Sequence, residues 1–252
     1  MAQLRSEEIL RECSGADTVV LFIHGIIESS GFFEEYMDLV PRNFSACSML
    51  LEGHGGTVQQ FSESSMKKWK QQVYDKVMAL SARYRNILLV GHSMGSLFAI
   101  ELASAYPEII RGILIMGTPL RLWITPEMPL TMLRVFLNKY PKDDPKYIAC
   151  LNIFGIADWQ PVWRYIGWVP RYIELFRDVK TARKAFRKLT VPCWAVHSRY
   201  DEVTSRSVVR MFENSPVTRL VILPRSHHFY YPEPDRRLLD DTMKAFFHAF
   251  GD

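Results

Sequence analysis

No run of apolar residues in this 252-residue chain approaches the roughly 20 needed to cross a bilayer. The opening segment, Met1-Ala2-Gln3-Leu4-Arg5-Ser6-Glu7-Glu8, carries charges where a signal peptide needs an apolar centre. Cysteine is scarce. Cys13, Cys47, Cys150 and Cys193 are far apart, form no Cys-x-x-Cys and have no histidine beside them, which excludes a zinc ribbon and a disulfide framework. They read as reduced structural thiols, and the expected setting is cytoplasmic. There is no low-complexity tract and no internal repeat, so a repeat architecture is not expected. The net charge of +4 is too small to indicate a nucleic-acid partner. No metal and no organic cofactor is expected. What is present is an ordinary globular composition, 48% apolar and 23% charged, long enough for one domain with a large core.

Continuous β-branched and apolar runs mark strands buried on both faces of a parallel sheet. They occur at Thr18–Ile23, Ala46–Leu51, Ile87–Val90, Gly112–Met116, Cys193–Val196 and Arg219–Leu223. Helical stripes alternate with the early strands: Met66, Trp69, Val73, Val77 and Leu80 form one, and Leu97–Tyr106 forms another. The alternation predicts a mostly parallel, doubly wound α/β sheet. It breaks between Pro119 and Leu189, where no buried strand is evident. The expected organisation is therefore a core over 1–118 and 190–252, with a helical lid over 119–189 inserted before the penultimate core strand. The lid holds four of the six tryptophans, Trp123, Trp159, Trp163 and Trp168, which are candidates for an apolar substrate pocket above the strand ends. It is also basic, with thirteen Lys or Arg against six Asp or Glu between Pro119 and Thr190.

The chemistry starts at Gly91-His92-Ser93-Met94-Gly95. This is Gly-x-Ser-x-Gly between a buried strand and a helix, the setting in which a sharp turn lifts a serine hydroxyl clear of a sheet. A serine hydroxyl is a weak nucleophile until a base takes its proton, and the base needs a carboxylate to fix its tautomer. Two later strands lead into loops that carry both: Asp201-Glu202 follows Cys193–Val196, and His227-His228 follows Arg219–Leu223. The main-chain N–H of Met94, at the start of the helix, is placed to stabilise an oxyanion.

With these landmarks, with His24-Gly25 after the first strand and with Gly53-His54-Gly55 after the second, the chain resembles the α/β-hydrolases of the monoacylglycerol lipase and carboxylesterase group. The resemblance spans nearly the whole chain outside the insertion and implies the α/β-hydrolase fold with a lid. It implies Ser93 as nucleophile, and Asp201 as orienting acid, since the apolar Val203 follows at the family's spacing. His228 becomes the base through the Ser-x-His pattern at Ser226–His228. His227 is the alternative base and Glu202 the alternative acid; otherwise His227 is a histidine at the surface or behind the catalytic groups, and Glu202 a solvated loop carboxylate. The second oxyanion donor is the N–H of Ile26. His24 is implied to brace its loop, His54 to order the Gly-His-Gly turn, and His92 and His197 to be structural.

The expected activity is hydrolysis of carboxylic esters with a medium or long apolar acyl chain, monoacylglycerol-like, through an acyl-enzyme. A thioesterase and a non-catalytic ligand-binding protein of the same fold are the alternatives. The partner is a small ester or lipid; the basic lid face (Lys180, Arg183, Lys184, Arg187, Lys188) reads first as a solvated surface, and its sharper reading is attraction to an anionic membrane or to acyl groups on phosphate carriers. Departures from the family pattern are Ser96 in place of a third glycine, Lys68 before Trp69 and Ser198 before the acid. Glu28 lies beside the expected oxyanion loop. A carboxylate there opposes oxyanion formation, so the expectation is that it points to solvent.

Overall fold

Alternating side chains on a strand point to opposite faces, so a strand that is apolar at every position must have a core on each side. β2 (Thr18–Ile23) meets this condition: Val19, Leu21 and Ile23 enter one cluster, and Val20 and Phe22 enter the other. The same division runs through β4 (Asn86–His92) and β5 (Ile110–Met116). The structure, a computed structural model, describes residues 7–126, 134, 143–153, 155–156 and 160–251.

Among the described residues the sheet has seven strands. With β1 (Ile9–Arg11), β3 (Ser45–Ser48), β6 (Cys193–Ser198) and β7 (Thr218–Leu223), its order is β1-β3-β2-β4-β5-β6-β7. Every neighbouring pair is parallel except β1 with β3, which is antiparallel. The strand expected over Ala46–Leu51 pairs only to Ser48 and then turns toward Gly53. β1 has too few residues to leave a periodic signal.

Helices cover both faces. Short α1 (Glu34–Met37) and the C-terminal α8 (Glu233–His248) close one face, α8 contributing Leu239, Met243, Phe246 and Phe247. The other face is covered by α3 (Met66–Ser81), α4 (Met94–Ala105) and the short α7 (Val209–Glu213). Ser65 caps α3 by accepting the Lys68 N–H, and the predicted stripe from Met66 to Leu80 is its buried face. α2 (Val58–Glu63) starts in a Thr57–Gln60 capping box.

Between β5 and β6 lie α5 (Pro145–Ile153), a 3₁₀ segment at Val162–Trp168, and α6 (Val169–Phe186). α6 buries Leu175, Val179, Ala182 and Phe186 in the same cluster as the sheet, and it packs on α4. Polar bonds fasten this region to the α2–α3 turn. The Trp168 indole N–H donates to Val58 O at 3.2 Å, Arg171 donates to Ser62 O at 2.8 Å and to Ser64 O, and the Met66 N–H donates to Glu174 at 2.9 Å. No helix among the described residues is long and apolar enough to cross a membrane.

Candidate active site

β4 ends at His92, and α4 begins at Met94, so Ser93 has to reverse the chain by itself. It does so at φ 49° and ψ −117°, a conformation that L-residues rarely adopt, with its N–H held by Met116 O at 2.9 Å. The flanking glycines are required by space. A Cβ on Gly91 would lie 2.6 Å from Ser96 N, and one on Gly95 would run into the main chain of Ile23. Ser96, where a third glycine was expected, is fully buried and donates its hydroxyl back to Ser93 O at 2.5 Å.

The structure brings Ser93, His228 and Asp201 together from three strand ends. His228 Nε2 lies 3.2 Å from Ser93 Oγ, and His228 Nδ1 lies 2.9 Å from Asp201 Oδ2. Asp201 Oδ1 also accepts the N–H groups of Val203 at 2.9 Å and Thr204 at 2.7 Å. These bonds fix the carboxylate plane, and the Nδ1–H tautomer leaves Nε2 free to accept from the serine. Burial alone would raise the Asp201 carboxyl; the facing His228 and the two main-chain donors outweigh it and hold the group below the usual carboxylate range. Burial works against charge on His228 as well, but the Asp201 carboxylate, with Glu28 and Glu202 farther out, raises it above an ordinary histidine. Gly117 makes room for this ring, since a Cβ there would come within 3.0 Å of His228 Cε1.

The loop after β2 completes the site. His24 donates from Nδ1 to Gly25 O at 2.8 Å and accepts the Leu51 N–H at Nε2 at 3.1 Å, so it carries one proton and braces the loop; burial lowers its basicity. A Cβ on Gly25 would lie 2.9 Å from Ser93 Cβ, so the loop main chain passes directly beside the serine. The N–H groups of Ile26 and Met94 have no partner among the described residues. Ile27 has φ 59°, a strained value for a β-branched residue, and its carbonyl accepts the Gly155 N–H at 2.8 Å.

Two expectations are corrected. Glu28 does not point to solvent. It is fully buried, with Oε1 2.7 Å from His92 Nδ1 and Oε2 accepting the Gly25 N–H at 2.5 Å. The carboxylate is turned inward, toward a histidine and a loop amide. Glu202 is not a solvated carboxylate either. It accepts His227 Nδ1 and, at 3.0 Å, the main-chain N–H of His228; burial would raise its carboxyl, but these bonds hold it lower.

Sequence reasoning missed Tyr231 and Asp235. Tyr231 donates to His228 O at 3.2 Å, and Asp235 accepts from the Arg225 N–H and the Ser226 hydroxyl, both at 2.7 Å, which ties the loop before His228 to α8. His54 is buried against the rings of His24, Phe61 and Trp69 and, with His197, has no side-chain hydrogen-bond partner among the described residues. The tryptophans expected to line a lid pocket are not gathered in one place among the described residues. Trp168 is buried against Phe61 and Tyr165, whereas Trp123 and Trp163 are each 68% exposed. Trp159, with Met128, Met132, Leu133, Phe136 and Leu137, lies outside the described residues. No group of His, Cys, Asp and Glu arranged to hold a metal occurs among the described residues.

Comparisons with known proteins agree with this architecture. The chain is similar to a structure from work on LipS and LipT, two metagenome-derived lipolytic enzymes, at 20% identity and a TM-score of 0.74, covering 97% of this chain and 98% of that one. It is similar to the monoacylglycerol lipase of Paleococcus ferrophilus at 17% identity and a TM-score of 0.68, covering 95% and 99%. At these identities the likeness shows the fold. Among curated sequences it is 25% identical over 99 residues to the 2-(acetamidomethylene)succinate hydrolase of Mesorhizobium japonicum, a match covering 39% of this chain and 35% of that protein. The aligned part thus spans about a third of that relative. A hydrolase family model, serine aminopeptidase, S33, matches residues 14–146, just over half of the chain. With the elbow, the sheet order and the Ser93–His228–Asp201 arrangement in place, the chain belongs to this family, Hydrolase_4, within the α/β-hydrolase superfamily.

Proposed function

We propose that the protein hydrolyses carboxylic esters with a medium or long apolar acyl chain, monoacylglycerol-like, with Ser93 as nucleophile, His228 as base and Asp201 as orienting acid. The observation that carries this reading is the 3.2 Å approach of His228 Nε2 to Ser93 Oγ, with Nδ1 held on Asp201. Ser93 Oγ attacks the ester carbonyl as its proton passes to His228 Nε2. The negative oxygen of the tetrahedral intermediate is stabilised by the free N–H groups of Ile26 and Met94. His228 then gives the proton to the leaving alkoxide, which departs as the alcohol and leaves an acyl-Ser93. A water, deprotonated by His228, attacks that acyl group; the acid is released and the proton returns to Ser93. No metal or organic cofactor takes part.

The lid supports an apolar substrate that meets the protein at an interface. Val169, Ile173 and Phe176 are exposed along one face of α6, and Lys180, Lys184 and Arg187 continue the same face. Trp163 and Ile166 precede it, each 68% exposed. An apolar half followed by a cationic half suits peripheral contact with an anionic lipid surface. Arg183 is spent elsewhere, donating to Leu120 O at 2.8 Å and 2.6 Å. Four unpaired thiols, Cys13, Cys47, Cys150 and Cys193, suit a reducing, cytoplasmic setting.

The same cationic face favours one second reading, a thioesterase acting on acyl groups held by a phosphorylated carrier. Comparing glyceryl and acyl-carrier substrates at equal chain length separates the two: preference for the carrier thioester would replace the first reading. The decisive test of chemistry is labelling by a fluorophosphonate, expected for the unmodified protein and lost in Ser93→Ala and His228→Ala. A non-catalytic binding protein of this fold would give no labelling at all. A rate profile over p-nitrophenyl esters of increasing chain length then sets the acyl preference, and a maximum at acetate would contradict the medium or long acyl chain.

A further inference from the structure

Asp201–His228 is flanked by two more carboxylate–imidazole pairs that the mechanism above leaves unused. On one side, His227 Nδ1 is bonded to Glu202 Oε1, and Glu202 Oε2 accepts the main-chain N–H of His228 at 3.0 Å. On the other side, His92 is bonded through Nδ1 to Glu28 Oε1 at 2.7 Å, and its Nε2 faces the main-chain carbonyl of His228 at 3.2 Å. The Tyr231 hydroxyl donates to that carbonyl at the same distance. Glu28 and His92 are fully buried, and the Glu202 and His227 side chains are only 14% and 15% exposed.

His228 lies in the loop between β7 and α8, where no sheet or helix bonds hold its peptide. Its N–H is instead taken by Glu202 from the loop after β6, and its C=O by Tyr231, with His92 at the end of β4 facing the same oxygen. The bases of such sites work only within about 2.6–3.2 Å of the proton they accept. The Ser93–His228 distance of 3.2 Å is at the outer end of that range, so little slack is available.

We propose that Glu202 and Glu28 are positioning residues. Glu202 holds the His228 N–H directly and Glu28 acts through His92 beside the His228 carbonyl, so that Nε2 stays within reach of Ser93. Glu28 does this from the oxyanion side, where its second oxygen holds the Gly25 N–H. One buried carboxylate therefore sets the oxyanion loop, the residue before the nucleophile and the base together. Glu202 is the residue directly after the triad acid, so the acid loop grips the base loop twice, through Asp201 to the ring and through Glu202 to the main chain.

The inference rests on the triad reading, and its test separates the two. The groups facing His228 are Asp201 and Glu202 from the loop after β6, Glu28 from the loop after β2, His92 from β4, Ser93 at the elbow, His197 in β6, and Tyr231 on its own loop. Glu202→Ala removes bonds and charge; Glu202→Gln removes the charge but keeps an acceptor for the His228 N–H. For the ester reaction, Glu202→Ala is expected to lower the plateau kcat about 10- to 100-fold with KM within about twofold, since misplacing a catalytic group by an ångström costs about that much. Glu202→Gln should recover the plateau to within about threefold. In it, the acid limb of kcat/KM moves to lower pH, because one carboxylate that favours protonated His228 is gone. On the other side, His92→Phe keeps the ring volume and loses the ring nitrogens that face Glu28 and the His228 carbonyl, with the same kcat-selective loss expected. An unchanged plateau kcat in Glu202→Ala or in His92→Phe overturns the proposal for that side, and a Gln variant as slow as Ala overturns the main-chain bond as the cause. Failure of the unmodified protein to react with a fluorophosphonate would remove the triad reading itself, whereas normal labelling that is equally fast in Glu202→Ala and His92→Phe removes only this inference.

Discussion

Replacing Asp201 by Asn changes one atom type and tests the arrangement of protons on which the site depends. The carboxylate accepts three N–H groups, from His228, Val203 and Thr204. An amide in the same place still accepts from Val203 and Thr204 through its oxygen, so the loop is retained. Its NH₂ then faces His228 Nδ1, which must become an acceptor. The ring proton moves to Nε2, where it points at Ser93 and blocks proton transfer. Loss of the orienting carboxylate in such a triad costs about 10⁴ in kcat, and at about 1.4 kcal/mol for each tenfold this is roughly 5.5 kcal/mol of barrier. The thermal midpoint should stay within a few degrees, because the side chain remains bonded and the volume is unchanged. Initial rates on a p-nitrophenyl ester, with a melting curve on the same preparation, measure both quantities. A kcat within tenfold of the unmodified protein, with the fold intact, would refute the assignment of Asp201 as the orienting acid.

Three further outcomes follow from the same structure. His228 is raised above the ordinary 6.5 despite burial, and the base must be neutral to act, so the acid limb of kcat/KM should have its midpoint above 6.5; a midpoint below that contradicts the electrostatics. Trp69 is fully buried against His54 and Phe61, and its N–H donates to Glu52 O at 2.7 Å. Trp69→Ala should therefore cost about 3–5 kcal/mol in urea unfolding, and a cost under about 1.5 kcal/mol would show that the site repacks. Glu101 faces Asp178 across Lys70, and burial first, then the Asp178 charge, pushes its carboxyl up to about 7. Its folded value lies above its unfolded one, so it stabilises the fold at low pH and this contribution is lost as pH rises toward and through 7. The melting temperature of Glu101→Gln relative to the unmodified protein should accordingly climb between acid and mildly alkaline pH, and a difference independent of pH would contradict that sign.

The sheet was readable because a strand buried on both faces has no polar position: Thr18–Ile23 is apolar or β-branched throughout, and the structure buries all six residues. The meeting of Ser93, Asp201 and His228 was readable because the elbow has a tight local pattern and the other two stand directly after strands. The edge strand Ile9–Arg11 was not, since three residues paired on one side impose no pattern. α6 was legible only through the helical spacing of Lys180, Arg183, Lys184, Arg187 and Lys188, while its buried stripe of Leu175, Val179, Ala182 and Phe186 emerges from the structure. Its packing against α4 depends on chain tracing that periodicity does not carry. Glu28 was placed outward because a lone carboxylate beside an oxyanion loop is unfavourable. Its partner, His92, is 64 positions away and meets it only where β2 and β4 end side by side. Glu202 was misjudged for the same reason, since its two bonds go to the next strand's loop.

The central claim is that Ser93 is a nucleophile activated by His228. It is tested most directly by treating the folded protein with a fluorophosphonate and locating the adduct by peptide mass. The account predicts one adduct, on Ser93, that forms rapidly in the unmodified protein and is absent in His228→Ala although Ser93 is still present. An unlabelled native protein, or a Ser93 adduct that forms equally fast without His228, would contradict it.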